Sequence, residues 1–324
     1  MLTQEGDNTC VIGVDGNFDD TQTGVKQIFS NQALRDELSE AGYNFSSANS
    51  INIGRLLPQV VYYFYSYFEL VKSGEIAQGD KVNFVVPTGN FGNILAGYYA
   101  KILGLPVNRF ICASKSNNVL TDFFSTGKYN RKRDFYKTIS PSMDILISSN
   151  LERLIFDLSG GDTAFVARLM ESLNTDGNYT IPDEMIEKAQ SLFYGGYADE
   201  IATEIAIHDM FVDHHYLMDP HTAVASKVYD DYLAETGDTT PAIILSTASP
   251  YKFGHSVYKS IFGDIPDGMD DYEVLKALSE KTGTAVPEPL KDLDKKPNRH
   301  SGTCAVDEMP STVKDFVLKR EAAR

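Results

Sequence analysis

Cysteine is scarce and placed for no framework: Cys10, Cys112 and Cys304 are odd in number and far apart, so they give neither a disulfide pattern nor a zinc motif. Basic charge is short as well. Twenty-nine lysines and arginines face 45 aspartates and glutamates, for a formal net charge of −16. A chain without a basic excess has no face for nucleic acid as its main partner. Long apolar runs are missing, since stretches such as Val60 to Tyr63 fall far below the roughly 18 residues that a membrane-spanning helix needs. Met1 to Asn8 is polar and acidic, unlike a secretory leader. What is present is a chain of 324 residues, 42% of them apolar. It is expected to be a cytoplasmic protein with no membrane contact and material for about two domains.

Cys10-Val11-Ile12-Gly13-Val14 reads as a short buried strand. A turn at Asp15-Gly16 then leads into a helix with Asp19 or Asp20 as N-cap and apolar positions at Val25, Ile28 and Phe29. No earlier segment is available to pair with that strand. The stretch from Asp15 to Asp20 looks superficially like a calcium loop, but glycine is absent at its sixth position and Lys26 stands where a bidentate glutamate belongs. Asn49-Ser50-Ile51-Asn52 then caps a helix whose apolar stripe is Ile53, Leu56, Leu57, Val60, Val61, Phe64, Phe68 and Val71, with Pro58 accommodated near its start. Aromatic residues between 62 and 68 read as core.

Val82 to Val86, residues 92–103 and Phe110 to Ala113 follow as strand, helix and strand, with Gly104-Leu105-Pro106 as the helix stop. That is a βαβ unit, hence parallel strands. A long helical stretch, 151–236, precedes a further buried strand, Ala242 to Leu245, and 284–303 reads as irregular.

Between the first of these strands and its helix lies Pro87-Thr88-Gly89-Asn90-Phe91-Gly92-Asn93. The free N–H groups and dipole of a helix start favour a bound phosphate. Glycine suits such a turn because a Cβ would hold phosphate oxygens off the main chain. Asn90 and Asn93 add side-chain donors without charge. A plain tight turn has the same sequence, and neither the dinucleotide glycine pattern nor a P-loop is present. Ser246-Thr247-Ala248 is a second candidate, because ligands of open parallel sheets gather at the carboxyl ends of the strands. A hydroxyl there either meets a heteroaromatic nitrogen or caps the helix that follows.

Taken together, these segments resemble the threonine synthase family, in the branch shared by fungi and many bacteria. Val86 to Gly97 is similar to its pyridoxal-phosphate loop. The likeness continues in order through Asp15-Gly16-Asn17-Phe18-Asp19-Asp20, Asn49-Ser50-Ile51-Asn52 and Ser140-Pro141-Ser142-Met143-Asp144-Ile145. It extends through Ser149-Asn150-Leu151-Glu152-Arg153, Asp219-Pro220-His221-Thr222-Ala223 and Leu245-Ser246-Thr247-Ala248. The resemblance implies an α/β fold of type II among pyridoxal-phosphate enzymes: an open, mostly parallel sheet flanked by helices, lacking most of the small N-terminal domain. Residues 1–45 would then be the remnant of a small cofactor-covering domain. Residues 46–324 would form the large domain, with a helical insertion at about 151–236. By the same resemblance Gly89, Asn90, Phe91, Gly92 and Asn93 cradle the phosphate of pyridoxal 5'-phosphate, and Thr247 meets its pyridine nitrogen. A hydroxyl partner leaves that nitrogen largely neutral. The implied reaction is a lyase step, converting O-phospho-L-homoserine and water to L-threonine and phosphate.

The sequence also departs from the family. The family's Schiff-base lysine lies in a Phe-Lys-Asp motif, and no such tripeptide occurs here. Lys252, the lysine nearest in sequence to Thr247, falls on a different segment. The Ser/Gly-rich loop that would hold the substrate carboxylate is missing, and Ser249 stands where many relatives carry histidine. The expectation is therefore the C-terminal portion of a threonine synthase, truncated, inactive alone, and partnered by the missing N-terminal segment. The alternatives are a noncatalytic module that binds phosphate, pyridoxal phosphate or a partner chain, and a related serine or threonine dehydratase. The Asn-Phe-Gly loop and the Ser-Pro-Ser-Met-Asp stretch speak against the dehydratase.

Asn49, Ser50, Asn52 and Arg55 face the same sheet end in the family reading, as contacts for O-phosphohomoserine; capping plus a surface arginine is the equal alternative. His208, His214, His215 and His221 have aspartate neighbours but no metal-ligand spacing, so no metal is expected. His221 is expected to order a helix start. Lys128, Arg131, Lys132, Arg133 and Lys137 read as a solvated loop rather than a steering patch, and Cys112 as a small buried residue.

Overall fold

The computed structural model describes residues 1–6, 8–16 and 18–321. Asn17 of the Asp15–Asp20 motif lies outside them, as do the side chains of Phe18 and Asp19, one of the two expected caps. Eight strands occur among the described residues: β1 Gly13–Asp15, β2 Val82–Pro87, β3 Val107–Ser114, β4 Lys128–Asn130, β5 Asn178–Thr180, β6 Phe193–Tyr197, β7 Ala242–Ile244 and β8 Thr303–Ala305. Contacts divide the chain into two compact units. One joins Met1–Ser47 to Glu288–Arg324, and the other is Ala48–Pro287. That partition differs from the 1–45 and 46–324 domains expected from sequence, because 288–324 packs with the N-terminal residues.

In the first unit β1 pairs in parallel with β8, Gly13 opposite Thr303 and Asp15 opposite Ala305. The expected N-terminal strand is thus shorter, displaced toward Asp15 and only partly covered. Its partner lies almost 300 residues later in the sequence rather than before it. Ile28, Leu34, Leu38, Cys304 and Met309 form a small core between the helices Phe18–Ser30, Gln32–Glu40 and Met309–Glu321. Val25 and Phe29, expected beside Ile28, are exposed.

The second unit is built on a four-stranded parallel sheet of order β6-β3-β2-β7. Alternation along the strands divides its core into two layers. Phe84, Val86, Phe110, Cys112 and Phe193 face Tyr63 and Leu95, while Val85, Ile111 and Ala113 face Val224 and Val228. The expected strand, helix and strand are present as β2, Gly92–Ile102 and β3. The long stretch at 151–236 is not wholly helical. β5 interrupts it, and β6, Phe-Tyr-Gly-Gly-Tyr, runs beside β3 as an edge of the main sheet. Gly196 lets β6 lie close to the helix Pro220–Thr236, because a Cβ there would come within 2.6 Å of Val228.

Pro58 divides the expected long helix. The chain runs as Ile53–Leu56, a 3₁₀ turn Leu57–Gln59, and Val60–Ser73. The buried face is Leu56, Val60, Tyr63 and Tyr67, whereas Ile53, Leu57, Val61 and Phe68 of the expected stripe are exposed. The segment is apolar on two adjacent faces, so spacing alone does not choose between them, and the tighter turn shifts the phase. No helix among the described residues is long and apolar enough to cross a membrane.

Candidate active site

The β2 strand ends at Pro87, and the chain turns through Thr88–Phe91 before the helix Gly92–Ile102 begins. Thr88 is fixed from both sides, its N–H donating to the Ala113 carbonyl at 2.8 Å and its hydroxyl to the Val86 carbonyl at 2.7 Å. Phe91 caps the helix with φ 65°, a left-handed conformation unusual for a bulky residue. Its ring holds it there, 1% exposed, with centroids 5.9 Å from Phe124 and 5.7 Å from Phe193. The Phe91 side chain is therefore core, and only its backbone is available to a ligand.

The glycines of the turn are required by close packing. A Cβ on Gly89 would stand 2.7 Å from the Ser142 carbonyl oxygen, and one on Gly92 2.5 Å from Ser50 Cβ. Asn90 Oδ1 accepts the Gly92 N–H at 2.9 Å, and its Nδ2 donates to Asn49 Oδ1 at 3.2 Å. The Asn90 side chain is thus spent on the loop. Asn93 differs. Tyr63, fully buried and with burial pushing its hydroxyl well above the ordinary tyrosine value, donates to the Asn93 carbonyl at 2.8 Å and to Oδ1 at 2.9 Å. That fixes the amide so that Nδ2 is left for the solvent side. By helix geometry the N–H groups of Asn93 and Ile94 lack intrahelical acceptors.

This turn lines a cavity of about 1080 Å³. The structure brings Gly89, Asn90, Asn93, Thr247, Ser50 and Arg55 together on its wall; Phe91, Gly92, Asn49 and Asn52 are not among the lining residues. Asn52 is a helix N-cap, its Oδ1 accepting from Gly54 N–H at 2.9 Å. Thr247 follows β7 and is exposed, and its hydroxyl meets no protein partner among the described residues. The capping alternative for Ser246-Thr247 does not hold. Ser249 caps the next turn, Pro250–Phe253, by accepting the Tyr251 N–H.

Sequence reasoning missed Gln59, Tyr62 and Ser66 as wall residues and understated Ser142 and His221. His221 is buried, with Nδ1 2.9 Å from Asp219 Oδ1 and Nε2 accepting the Ser142 N–H at 3.3 Å. An accepting Nε2 assigns the ring proton to Nδ1, which donates to Asp219. Asp219 caps the helix Pro220–Thr236. Burial works against its charge, but hydrogen bonds from His221 and Thr222 hold its carboxyl below the usual aspartate value. His208 and His214 lie in the helix Glu200–His214 and His215 caps its C-terminus; none is on the wall. In the basic stretch Arg133 is a structural residue, paired with Asp122 at 2.7 Å. Cys112 is fully buried, and burial pushes its thiol up to about 12.

Residues 222–317 match the family described as threonine synthase, C-terminal. Human threonine synthase-like 1 is 42% identical over 263 residues, covering 81% of this chain and 35% of the human protein. The crystal structure of yeast threonine synthase superposes with a TM-score of 0.82 at 33% identity, covering 99% of this chain and 62% of that one. Over most of its length the chain is similar to threonine synthases, and residues 222–317 carry the match to that family's C-terminal domain. A further family member, the pyridoxal-phosphate-bound threonine synthase of Brucella melitensis, superposes with a TM-score of 0.79 at 35% identity. It is covered to 59% of its length and covers 96% of this chain. The fold is therefore type II of the pyridoxal-phosphate enzymes, and the chain spans between about a third and three fifths of these relatives.

Proposed function

We propose that this chain is the C-terminal portion of a threonine synthase and holds pyridoxal 5'-phosphate in the cavity beneath the Gly89–Asn93 turn. The observation that carries the reading is the meeting of that turn and the unpartnered Thr247 hydroxyl on one wall. The residues fit the group. A helix start with two close-packed glycines suits a phosphate, and a neutral hydroxyl at a strand end suits a ring nitrogen. When bound, the cofactor would supply an electron sink for removing protons from an amino-acid carbon. Backbone N–H groups of the turn and Asn93 Nδ2 would hold its phosphate, and Thr247 would orient the ring. Arg55 and Ser50 would meet the phosphate or carboxylate of O-phosphohomoserine. His221, tied to Asp219, would keep the Ser142 segment against Gly89. The activity of the completed protein is then the conversion of O-phosphohomoserine and water to threonine and phosphate.

A second reading has its own support. No lysine stands among the described residues that line the cavity, which favours a module that binds pyridoxal phosphate without a covalent bond and acts with a partner chain. Lys252 is not on the wall, its ammonium lying 5.7 Å from the Phe253 ring centre. One series of measurements separates the two. Borohydride reduction of the chain with pyridoxal phosphate should leave no single stoichiometric phosphopyridoxyl-lysine. Joined to a threonine synthase N-terminal segment containing Phe-Lys-Asp, the chain should release phosphate from O-phosphohomoserine. A completed protein that binds pyridoxal phosphate and releases none would favour the binding module and end the synthase reading.

A further inference from the structure

The wall described above has a second layer that neither the site nor its capping residues explain. The Gly89 carbonyl accepts a hydrogen bond from Ser148 Oγ. The next carbonyl, that of Asn90, accepts two, from the Asn150 N–H at 3.1 Å and from Asn150 Nδ2 at 3.1 Å. Both carbonyls are thereby pulled toward the segment 148–150. In a trans peptide the carbonyl of one residue and the N–H of the next point in opposite directions, and the chain has no cis bonds among its described residues. Fixing these two carbonyls therefore fixes two donors: the Asn90 and Phe91 N–H groups are turned away from 148–150. Gly89, Asn90 and Asn93 line the cavity, whereas Ser148, Asn150 and the Phe91 side chain do not, so the peptide N–H groups turned away from 148–150 are turned to the side on which Gly89 and Asn90 meet the cavity. Neither N–H meets a protein acceptor among the described residues.

We propose that Ser148 and Asn150 are positioning residues for anion recognition: they orient the Asn90 and Phe91 amides as a pair of donors aimed into the cavity. This rests on the cofactor reading above, and assigns the phosphate's specificity to residues that never touch it. Their own support is rigid. The Ser148 N–H donates to the Tyr129 hydroxyl at 2.7 Å, and that hydroxyl donates to the Leu146 carbonyl at 3.0 Å. Asn150 is fully buried. Arg153 donates to Asn150 Oδ1, which leaves Nδ2 facing the Asn90 carbonyl, and the same guanidinium reaches the Ile51 carbonyl at 2.7 Å. One arginine thus couples the amide-setting residue to the segment that carries Ser50. Glycine at 89 makes the arrangement necessary, because a peptide beside glycine has more freedom to rotate than any other.

The test uses pyridoxine 5'-phosphate and pyridoxine, which lack an aldehyde and cannot label surface lysines, titrated into the whole chain. The wild type should prefer the phosphorylated compound. Ser148→Ala and, separately, Asn150→Ala should weaken pyridoxine 5'-phosphate by about tenfold, leaving the weaker pyridoxine binding unchanged. Ser172→Ala removes a similar bond, from Ser172 Oγ to the Asn178 carbonyl at 2.7 Å, and should leave both affinities alone. Folded variants at 148 or 150 that keep the wild-type phosphate preference overturn the proposal while the cofactor reading stands. A wild type that shows no phosphate preference overturns the cofactor reading itself. If Ser148→Ala does not fold, Asn150→Ala decides by the same criterion.

Discussion

Asp219 joins three roles at one carboxylate: it caps the helix Pro220–Thr236, accepts a hydrogen bond from His221 Nδ1–H and accepts another from the Thr222 hydroxyl. Because these bonds hold its folded pKa below the ordinary value, the carboxylate contributes stability that is fully present above the unfolded pKa of about 3.9. That contribution is lost as pH falls through the folded value. Asn at this position keeps an oxygen for the cap and removes the charge. Asp219→Asn should therefore cost about 2 kcal/mol near pH 6, and the gap between variant and wild type should shrink on acidification below about pH 4. Urea melts at several pH values measure it, and a gap that widens in acid would show that the charge is not what stabilises. Such roles were only partly legible. Asp-Pro-His-Thr announced a helix start, because capping is local. The contact from His221 to Ser142 spans 79 positions, and no spacing rule reaches that far.

At the scale of elements, the close approach of two helices depends on Gly97. It lies inside Gly92–Ile102, where alanine would normally be preferred by about 1 kcal/mol. A Cβ there would come within 2.5 Å of the Tyr63 ring and 2.8 Å of Phe110, both fully buried. Overpacking should outweigh propensity, so Gly97→Ala should destabilise by about 1–3 kcal/mol, read as a lower urea midpoint; a variant as stable as wild type would show that the ring has room to retreat. Displacing Tyr63 would also release Asn93, so the phosphate preference should fall with stability. β2, β3 and their helix were legible because continuous apolar runs and a Gly-then-Pro stop are strong local signals. β6 was not, since two glycines in five residues look like a turn until Val228 and Thr121 are seen pressing on them. The aromatic helix was half legible: its apolar character was plain, but the buried face follows from what packs on it.

For the whole molecule, the division into two compact units makes a simple prediction about where binding resides. Every residue lining the cavity lies between Ser50 and Thr247, and the residues that set its amides and its imidazole, Ser148, Asn150, Asp219 and His221, lie there too. All fall inside Ala48–Pro287. That unit has both core layers and the complete four-stranded sheet, so it satisfies the usual requirement for a domain that folds alone. A chain of residues 48–287 should therefore unfold cooperatively and bind pyridoxine 5'-phosphate with the affinity of the full chain, within about twofold. Circular dichroism melts establish the first point and titration the second. If the shortened chain melts cooperatively and has lost the ligand that the full chain binds, the determinants of the site extend beyond this unit, and the amides of the Gly89–Asn93 turn are insufficient to explain recognition.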